Sequence, residues 1–263
     1  MPDHTWLSRS ARTPRLMVLA GHEQASRHGG RDVAAFDFDD TLIDGDSLLP
    51  FLSLAVGRAR VGRALAALGP KIAAALLGVG ERDAAKAALL GRLLRGFPAT
   101  QLAEIGQSYA HMLADRLRPD MVERVEWHRV QGHRLVIVSA SLTLYLVPLA
   151  EIRHFDKVLA TALEVGADGL LTGRLLGANV RGREKVLRLS EWLAGDSCRI
   201  WAYGNRGGDR FLLSTADQGY LIRRGRVMAW TPAMAGRKGT AEALAQGTAG
   251  VSPHGPERPE RPV

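Results

Sequence analysis

The stretch Val33–Leu42, VAAFDFDDTL, joins a short apolar run to three aspartates that lie within four positions. Four apolar residues bounded by polar ones are typical of a short buried strand. Asp37, Asp39 and Asp40 fit such a strand poorly, because like charges that face one another in a sheet are destabilising. This conflict between local preference and context indicates a functional site at the end of the strand.

Three further apolar runs have the same form, and they lie at Leu135–Val138, Lys157–Ala160 and Ile200–Tyr203. Helical patterns precede two of these runs, at Pro119–Val130 and Arg183–Leu193. Alternation of short buried strands with helices favours an α/β fold built on a doubly wound parallel sheet.

The stretch between the first two predicted strands breaks this alternation. Residues 47–117 are rich in Ala and Leu at helical spacing, with breaks at Gly57, Gly80 and Gly96. We expect this stretch to form a bundle of helices inserted after the first strand. Alternating residues in the segment 161–177 predict a β-hairpin instead.

These patterns predict how the chain is divided. We expect residues 32–46 and 118–231 to form the core domain and residues 47–117 to form a helical cap. Residues 1–31 and 232–263 lack hydrophobic periodicity and are rich in Pro, Gly and charged residues. Such composition predicts a disordered leader and a disordered tail.

Composition narrows the classes of function. The formal net charge is +8, but the arginines are scattered and aromatic residues make up only 6% of the chain. This favours solvated surface charge, and we expect no nucleic-acid partner. The single cysteine, Cys198, excludes an internal disulfide and fits a reducing compartment. No apolar stretch reaches the roughly 18 residues of a membrane span, so we expect a cytoplasmic protein.

The aspartates after the first strand point to a particular chemistry. Ligands of open parallel sheets bind at the carboxyl ends of the strands, where Asp37 and Asp39 would face one site. Two adjacent carboxylates need a cation, or one of them must hold a proton. Mg²⁺ is commonly bound by one or two carboxylates together with phosphate oxygens. The sequence therefore predicts metal-assisted phosphoryl chemistry, with one Asp as nucleophile and the other as proton donor.

The segment DFDDT resembles the D-x-D-x-T signature of the haloacid dehalogenase (HAD) superfamily. Three further segments resemble the family's later motifs in the right order: VIVSAS with Ser139, RGREKVLRL with Lys185, and AYGNRGGD at 202–209. The segment LEVGADGLLTGRLLG at 163–177 resembles phosphoserine phosphatase-like members, subfamily IB. The predicted helical insertion is similar to the small cap domain of those members.

The resemblance implies a role for each motif residue. Asp37 would attack the phosphorus and form an aspartyl-phosphate, and Asp39 would protonate the leaving oxygen and later take a proton from water. Ser139 would hydrogen-bond a phosphoryl oxygen, and Lys185 would neutralise charge on the nucleophile and the phosphoryl group. Mg²⁺ would be bound by the Asp37 carboxylate, the Asp39 backbone carbonyl and the fourth motif.

The fourth motif departs from the family pattern. It usually begins Gly-Asp-Ser, but this chain has Gly204, Asn205 and Arg206. The family's metal-binding Asp matches Asn205, whose amide oxygen can coordinate Mg²⁺ but brings no charge. Asp209 matches the second acid of the motif and is expected to compensate. We therefore expect weaker Mg²⁺ binding than in a relative with Asp at this position.

The substrate is less clearly indicated. Asp46 lies where phosphoserine phosphatases carry an acid that holds the substrate ammonium, so we expect a small, phosphoserine-like phosphomonoester. The run Val61–Val79 has only Arg63 and Lys71 as charges. This keeps a lipid phosphate and contact with a membrane surface open, although packing within the cap is favoured. A catalytically weakened phosphate-binding protein and a phosphotransferase also remain alternatives. Oligomeric state is not predicted.

Overall fold

The computed structural model describes residues 31–69, 82–205, 208–223 and 226–231. The predicted leader, except for Arg31, and the predicted tail lie outside these ranges. Arg206 and residues 70–79 of the apolar run also lie outside them.

A seven-stranded sheet forms the centre of the described part of the chain, in the order β4-β3-β2-β1-β5-β6-β7. Its strands are β1 (Val33–Phe36), β2 (Arg134–Leu142), β3 (Lys157–Val165), β4 (Leu171–Leu176), β5 (Ile200–Gly204), β6 (Gln218–Arg223) and β7 (Arg226–Ala229). The neighbours from β3 to β6 are parallel, whereas β4 and β7 are antiparallel edge strands. The predicted α/β fold is confirmed, with the correction that the sheet is mixed.

Helices cover the sheet and form the insertion between β1 and β2. They are α1 (Leu48–Val56), α2 (Arg58–Ala67), α3 (Arg82–Leu94), α4 (Ala99–Ala114), α5 (Pro119–Val130), α6 (Thr143–Ile152), α7 (Arg183–Leu193) and α8 (Arg210–Thr215). The two helices predicted before strands, α5 and α7, are confirmed. No helix among the described residues is long and apolar enough to cross a membrane.

The predicted strands are confirmed, but β2, β3 and β5 are longer than the apolar runs indicate. The strand β2 has nine residues and continues through Ser139 to Leu142, with a shift of register against β3 between these two residues. Strands β6 and β7 were not predicted, because their residues are mostly half-exposed and show no buried apolar run. The hairpin predicted within 161–177 is formed by β3 and β4.

The insertion leaves and rejoins the core through two adjacent segments. Ile43 and Leu117 form an antiparallel bridge, and Arg118 N donates to Leu42 O at 2.9 Å. Close packing continues at Gly106 of α4, where a Cβ atom would lie 2.5 Å from Leu144 O. The division into core and cap at residues 47 and 117 stays a prediction.

The register of the central strands sets the position of the site. Phe36 of β1 is aligned with Ile137 of β2 and with Tyr203 of β5. All four residues of β1 are buried, so both faces of this strand lie under helices. The carboxyl ends of β1, β2 and β5 therefore meet at one edge, where ligands of such sheets bind.

Candidate active site

An irregular turn places two aspartates at the end of β1. Asp37 N donates to Tyr203 O at 2.9 Å, which holds Asp37 against the end of β5. The turn Phe38–Leu42 follows, with Asp40 in the left-handed region at φ 53°. Asp40 Oδ1 accepts from Gly45 N at 2.9 Å. Asp40 thus closes the turn, a conformation that Asp tolerates better than most residues, because its short polar side chain can hydrogen-bond locally.

Lys185 lies between two buried carboxylates. Its Nζ atom is 2.6 Å from Asp37 Oδ1 and 2.5 Å from Asp209 Oδ1. Burial alone would lower the pKa of Lys185, but the charges of Asp37 and Asp209 outweigh burial and raise it. Thr41 Oγ1 donates to the other Asp37 oxygen at 3.2 Å. The Asp37 carboxylate is therefore fixed through both of its oxygens, beside a charged ammonium group.

Asp209 is held against the end of β5. Its Oδ2 atom accepts from Asn205 N at 2.9 Å, while Oδ1 accepts from Lys185. A Cβ atom on Gly204 would lie 2.6 Å from Asp209 Cβ, so this close approach requires glycine. Burial and then the charge of Asp37 raise the pKa of Asp209. Asp209 is therefore an ion-pair partner of Lys185. The role of Asp209 as a metal ligand stays a prediction.

The carboxylate of Asp39 lies on the insertion side of the site. Its Oδ1 atom accepts from Ser47 N at 2.9 Å, and its Oδ2 atom accepts from Ser141 Oγ at 2.6 Å. Burial raises the pKa of Asp39 to about 6, although both hydrogen bonds lower it. A carboxyl group with such a pKa can give and take a proton near neutral pH.

The oxygen atoms near Asp39 allow a test of the predicted Mg²⁺ site. Asn205 Nδ2 donates to Asp39 O at 2.7 Å, and a half-turn of the amide would bring Oδ1 to the same place. Asp37 is close enough for its charge to raise the pKa of Asp39. Within the described ranges, no three His, Cys, Asp or Glu side chains are grouped to hold a metal ion. The donors are oxygen atoms with the charge of one carboxylate, which fits Mg²⁺ completed by phosphate oxygens and waters.

Ser139 is buried at the last regularly paired position of β2. Its Oγ atom accepts from Ser141 N at 3.1 Å, so the hydroxyl hydrogen can donate to an anion at the strand end. Ser139 therefore lies near the carboxyl end of β2, although the strand continues to Leu142, and phosphate binding by Ser139 stays a prediction.

A family model described as haloacid dehalogenase-like hydrolase matches residues 34–214. The chain belongs to this family. The match spans β1 to α8 and so includes the four predicted motifs. The resemblance drawn from these motifs is confirmed, and the prediction of an enzyme is confirmed as a hydrolase of the HAD family.

Several known proteins are similar to this HAD hydrolase. Protein CicA of Caulobacter vibrioides is 34% identical over 229 residues, which are 86% of this chain and 99% of the relative. A histidinol-phosphatase of Neisseria meningitidis serogroup C is 25% identical over 177 residues, 66% of this chain and 79% of the relative. The crystal structure of a phosphoserine phosphohydrolase-like protein from Francisella tularensis has a TM-score of 0.52 and 18% identity. That match covers 70% of this chain and 82% of that chain, and it shows a shared fold.

Asp46 is exposed at the rim of the HAD site, close enough for its charge to raise the pKa of Asp39. Its Oδ2 atom accepts from Leu49 N at 2.8 Å, in the first turn of α1. This bond is a structural use for one carboxylate oxygen, since the first N–H groups of a helix lack partners within the helix. Binding of a substrate ammonium by Asp46 stays a prediction.

Sequence reasoning missed a cation that the insertion brings to the HAD core. Lys86 of α3 donates through Nζ to Ala140 O and, at 2.7 Å, to Asn179 Oδ1. Asn179 Nδ2 donates in turn to Asp83 Oδ1 at 2.7 Å. Burial lowers the pKa of Lys86 to about 8, although the charges of Asp83, Asp39 and Asp46 raise it. An ammonium group thus lies beside the strand that carries Ser139.

The pattern of α3 contains a signal for this residue. Lys86 precedes the buried Leu90 and Leu93 by four and seven positions and so shares their helix face. A lysine on an apolar helix face is unusual and indicates a buried partner. Ser47 and Ser141, which hold Asp39, have no comparable signal, because serine is common in loops and at strand ends.

Proposed function

We propose that this HAD hydrolase is a Mg²⁺-dependent phosphomonoester hydrolase that acts through an aspartyl-phosphate on a small, phosphoserine-like metabolite. The observation that carries the proposal is the position of Lys185, buried and 2.6 Å from Asp37, with Asp39 in the same turn. Phosphoryl transfer depends mainly on positioning and charge neutralisation. A fixed carboxylate, an adjacent ammonium and a second carboxyl group that can give and take a proton near pH 6 support this chemistry.

In the first step, a carboxylate oxygen of Asp37 attacks phosphorus as the bond from phosphorus to the ester oxygen breaks. The Asp39 carboxyl gives its proton to that leaving oxygen, which departs as an alcohol. Lys185 balances the negative charge that Asp37 and the phosphoryl group bring together. Ser139 donates to a phosphoryl oxygen and so orients the group at the end of β2.

In the second step, the Asp39 carboxylate takes a proton from a water molecule, and the water oxygen attacks phosphorus. The bond between phosphorus and Asp37 breaks, which releases inorganic phosphate and restores the free carboxylate. Asp39 therefore acts first as acid and then as base. Its pKa of about 6 supports both roles, since both protonation states are populated near that pH.

Mg²⁺ bound to the Asp37 carboxylate, the Asp39 carbonyl and the Asn205 amide would offset negative charge on the phosphoryl oxygens. The protein would hold the three ligand oxygens of Asp37, Asp39 and Asn205 in place. The hydrogen bond from Asn205 to Asp39 O supports the role of both residues. Asp37 supplies the charged oxygen of the set.

The proposed substrate is a phosphate ester of a small amino alcohol. One oxygen of Asp46 is used by Leu49 N, and the carboxylate stays exposed at the rim, where an ammonium group could reach it. The similar histidinol-phosphatase is named for a phosphate ester of an amino alcohol, which supports this class. Transfer of the phosphoryl group to an acceptor other than water remains an alternative within the same chemistry.

A lipid phosphate is the second candidate substrate. Leu49 and Leu54 of α1 are 38% and 50% exposed, which places apolar side chains on the same helix that begins beside Asp46. An apolar acyl chain could pack there. A catalytically weakened phosphate-binding protein is the third reading, and it depends on the uncharged Asn205.

The decisive experiment is phosphate release from a panel of esters by the purified full-length chain. The panel contains phosphoserine, histidinol phosphate, an aryl phosphate and detergent-dispersed lipid phosphates, each with Mg²⁺ and with a chelator. Asp37→Asn is the matched control, and it should lower the rate by about a thousandfold or more, since it removes the nucleophile. Acid-stable labelling of wild type by a radioactive phosphoester, reversed by hydroxylamine, would report the acyl-phosphate.

The outcomes separate the candidates. Phosphate release by wild type and not by the Asn variant supports the phosphatase, and the preferred ester assigns the substrate class. Release that is equal with Mg²⁺ and with chelator would contradict the metal dependence. Binding of inorganic phosphate without release from any ester would favour the phosphate-binding protein.

A further inference from the structure

A row of three buried hydroxyl groups ends at the Asp39 carboxylate. Ser141 Oγ donates to Asp39 Oδ2 at 2.6 Å. Ser47 Oγ lies 3.1 Å from Ser141 Oγ and 3.0 Å from Tyr145 Oη. All three hydroxyl-bearing residues are at most 3% exposed. The proposed reaction gives none of them a chemical step, so their position beside the proton donor calls for another explanation.

The direction of each hydrogen bond in this row is fixed by counting hydrogens. A hydroxyl group has one hydrogen to donate, and Ser141 uses it on the carboxylate. Ser141 Oγ must then accept from Ser47, and Ser47 Oγ must accept from Tyr145. All three hydrogen bonds therefore point toward Asp39. Ser141 and Ser47 each donate one hydrogen bond and accept another, which strengthens the bonds along the row.

The same row ties Asp39 to the packing of the insertion. Tyr109 Oη, from α4, donates to Ser47 O at 3.0 Å. The Tyr145 ring packs against Phe51 and Tyr109 at centroid distances of 5.0 and 5.4 Å. A rigid aromatic cluster thus sets where Ser47 lies, and Ser47 N donates to the second Asp39 oxygen. Hydrogen bonds to both carboxyl oxygens therefore restrict rotation of the Asp39 side chain.

We propose that Ser141, supported by Ser47 and Tyr145, is a positioning residue that aims the Asp39 carboxyl at the leaving oxygen, and that the enzyme is adapted to alkyl phosphomonoesters. The inference rests on the proposed function. An alkoxide is a strong base and leaves poorly without a proton, whereas an aryl oxide leaves readily as an anion. In the first step, restricted rotation of the acid is therefore useful for an alkyl ester and of little use for an aryl ester.

The hydroxyl row does not itself carry protons in this account. As the ester bond breaks, the Asp39 proton moves to the leaving oxygen, while Ser141 and Ser47 keep their own hydrogens. Their hydrogen bonds to the carboxylate persist through the step and strengthen as Asp39 becomes charged, because bonds to ionised acceptors are stronger. The row of hydroxyl groups thus stabilises both the orientation of the Asp39 carboxyl group and the negative charge that develops on it.

The test compares two leaving groups in matched variants of the full-length chain. The substrates are the best alkyl ester of the panel and 4-nitrophenyl phosphate, and the variants are Ser141→Ala, Ser141→Thr and Tyr145→Phe. We expect Ser141→Ala to lower kcat/KM for the alkyl ester by about ten- to a hundredfold, part of the 10²- to 10⁴-fold that a positioned proton donor contributes. For the aryl ester we expect kcat/KM to change by about threefold or less. We compare kcat/KM throughout, because it reports formation of the aspartyl-phosphate, whereas kcat also includes hydrolysis of that intermediate, which is the same for both esters.

Controls make the comparison specific. Ser141→Thr keeps a hydroxyl and should restore most of the alkyl activity, and Tyr145→Phe should give a smaller loss that is again confined to the alkyl ester. Asp39→Asn should show the same selectivity in kcat/KM with a larger loss, because it removes the acid itself, and it should lower kcat for both esters, because it also removes the base of the second step. Ser108→Ala, which removes an exposed hydroxyl of α4, should change neither rate.

Two results would overturn the proposal. Equal loss on both esters in Ser141→Ala and in Tyr145→Phe, with unchanged melting temperatures, would show that the row acts on phosphate binding or on the whole site. If Ser141→Ala loses activity only on the alkyl ester and Ser141→Thr shows the same loss, the hydroxyl group of residue 141 is not responsible for the effect. Absence of phosphate release by wild type from either ester would instead refute the proposed function, on which this inference rests.

Discussion

On the core side of the candidate site, Asp37 follows β1, Ser139 lies at the last regularly paired position of β2, and Lys185 lies in the first turn of the helix before β5. On the insertion side, Ser47 and Lys86 reach the same place from segments between β1 and β2. Asp37 and Lys185 are held by a buried ion cluster with heavy-atom distances of 2.5 and 2.6 Å. Ser47 is held by hydrogen bonds with neutral hydroxyl groups, and Lys86 donates to neutral carbonyl and amide oxygens.

The difference teaches how each half of the site is specified. A parallel sheet brings its carboxyl ends together whatever its loops contain, so the core residues follow from topology. The insertion side depends on which helix face packs where, which no short motif encodes. We therefore expect changes on the core side to abolish chemistry, and changes on the insertion side to adjust rates and specificity.

The largest effect should follow from Lys185→Met. The change leaves Asp37 and Asp209 facing each other without the ammonium between them. Phosphatase activity should fall by about a thousandfold, as expected for loss of charge stabilisation at a transferring phosphoryl group. The free energy of unfolding, measured by urea denaturation, should fall by about 3 to 5 kcal/mol, because one partner of a buried ion pair is lost.

A second change separates the two effects of Lys185. Asp209→Asn added to Lys185→Met removes one of the two uncompensated carboxylates and should restore part of the stability, but none of the activity. Lys157→Met, at an exposed lysine of β3, is the matched control and should alter neither. Activity within about tenfold of wild type in Lys185→Met would contradict the assigned role.

The sequence predicted the core side well and the insertion side poorly, for physical reasons. Short buried strands such as β1 show as apolar runs, and DFDDT marks the end of that strand. Strands β6 and β7 escaped prediction, because half-exposed residues give no such run. Lys86 lies on an apolar helix face, but its acceptors on Ala140 and Asn179 come from 54 and 93 positions away. Contacts of that separation follow from tertiary packing.

The next effect in size tests the uncharged position of the fourth motif. Asn205→Asp adds a carboxylate 2.7 Å from Asp39 O, if the side chain keeps its place. Mg²⁺ should bind about ten- to thirtyfold more tightly, because one added charge attracts the cation at short range. Calorimetric titration with Mg²⁺ measures this without activity, and half-saturation of activity should shift in the same direction.

Asn205→Ala is the matched control for this change. It removes the amide and should weaken Mg²⁺ binding, while its effect on folding should resemble that of the Asp substitution. Equal Mg²⁺ affinity in wild type and Asn205→Asp would show that residue 205 is not a ligand. The reduced affinity predicted from the sequence would then lose its basis.

A smaller effect is expected on the insertion side, from Lys86. Burial lowers the pKa of Lys86 to about 8, and the carboxylates that face it are Asp83, Asp39 and Asp46. The group is charged below that pH and loses its charge as pH rises through it. If the charge assists binding of an anionic ester, kcat/KM of wild type should decline above about pH 8. Lys86→Met should raise KM by about five- to tenfold at neutral pH, as for loss of a charged hydrogen-bond donor.

Lys86→Arg separates charge from geometry. Arginine stays protonated across this range, so its profile should stay flat where that of wild type declines, at whatever absolute rate the longer side chain permits. A decline above pH 8 that persists in Lys86→Arg would assign the titration to another group. Unchanged KM in Lys86→Met would limit Lys86 to joining α3 to β2.

The smallest effect should follow from Asp46→Asn, which tests the substrate assignment. The amide keeps an oxygen that can accept from Leu49 N, while the charge is lost. If Asp46 binds an ammonium, the ratio of kcat/KM for phosphoserine to that for glycerol phosphate should fall by about two- to threefold, as for an exposed ion pair. Asp44→Asn, at a neighbouring exposed acid, should leave the ratio unchanged. An equal ratio in all three proteins would limit Asp46 to its hydrogen bond with Leu49 N at the start of α1. Lys86 and the exposed Leu49 and Leu54 would then be the residues to test for specificity.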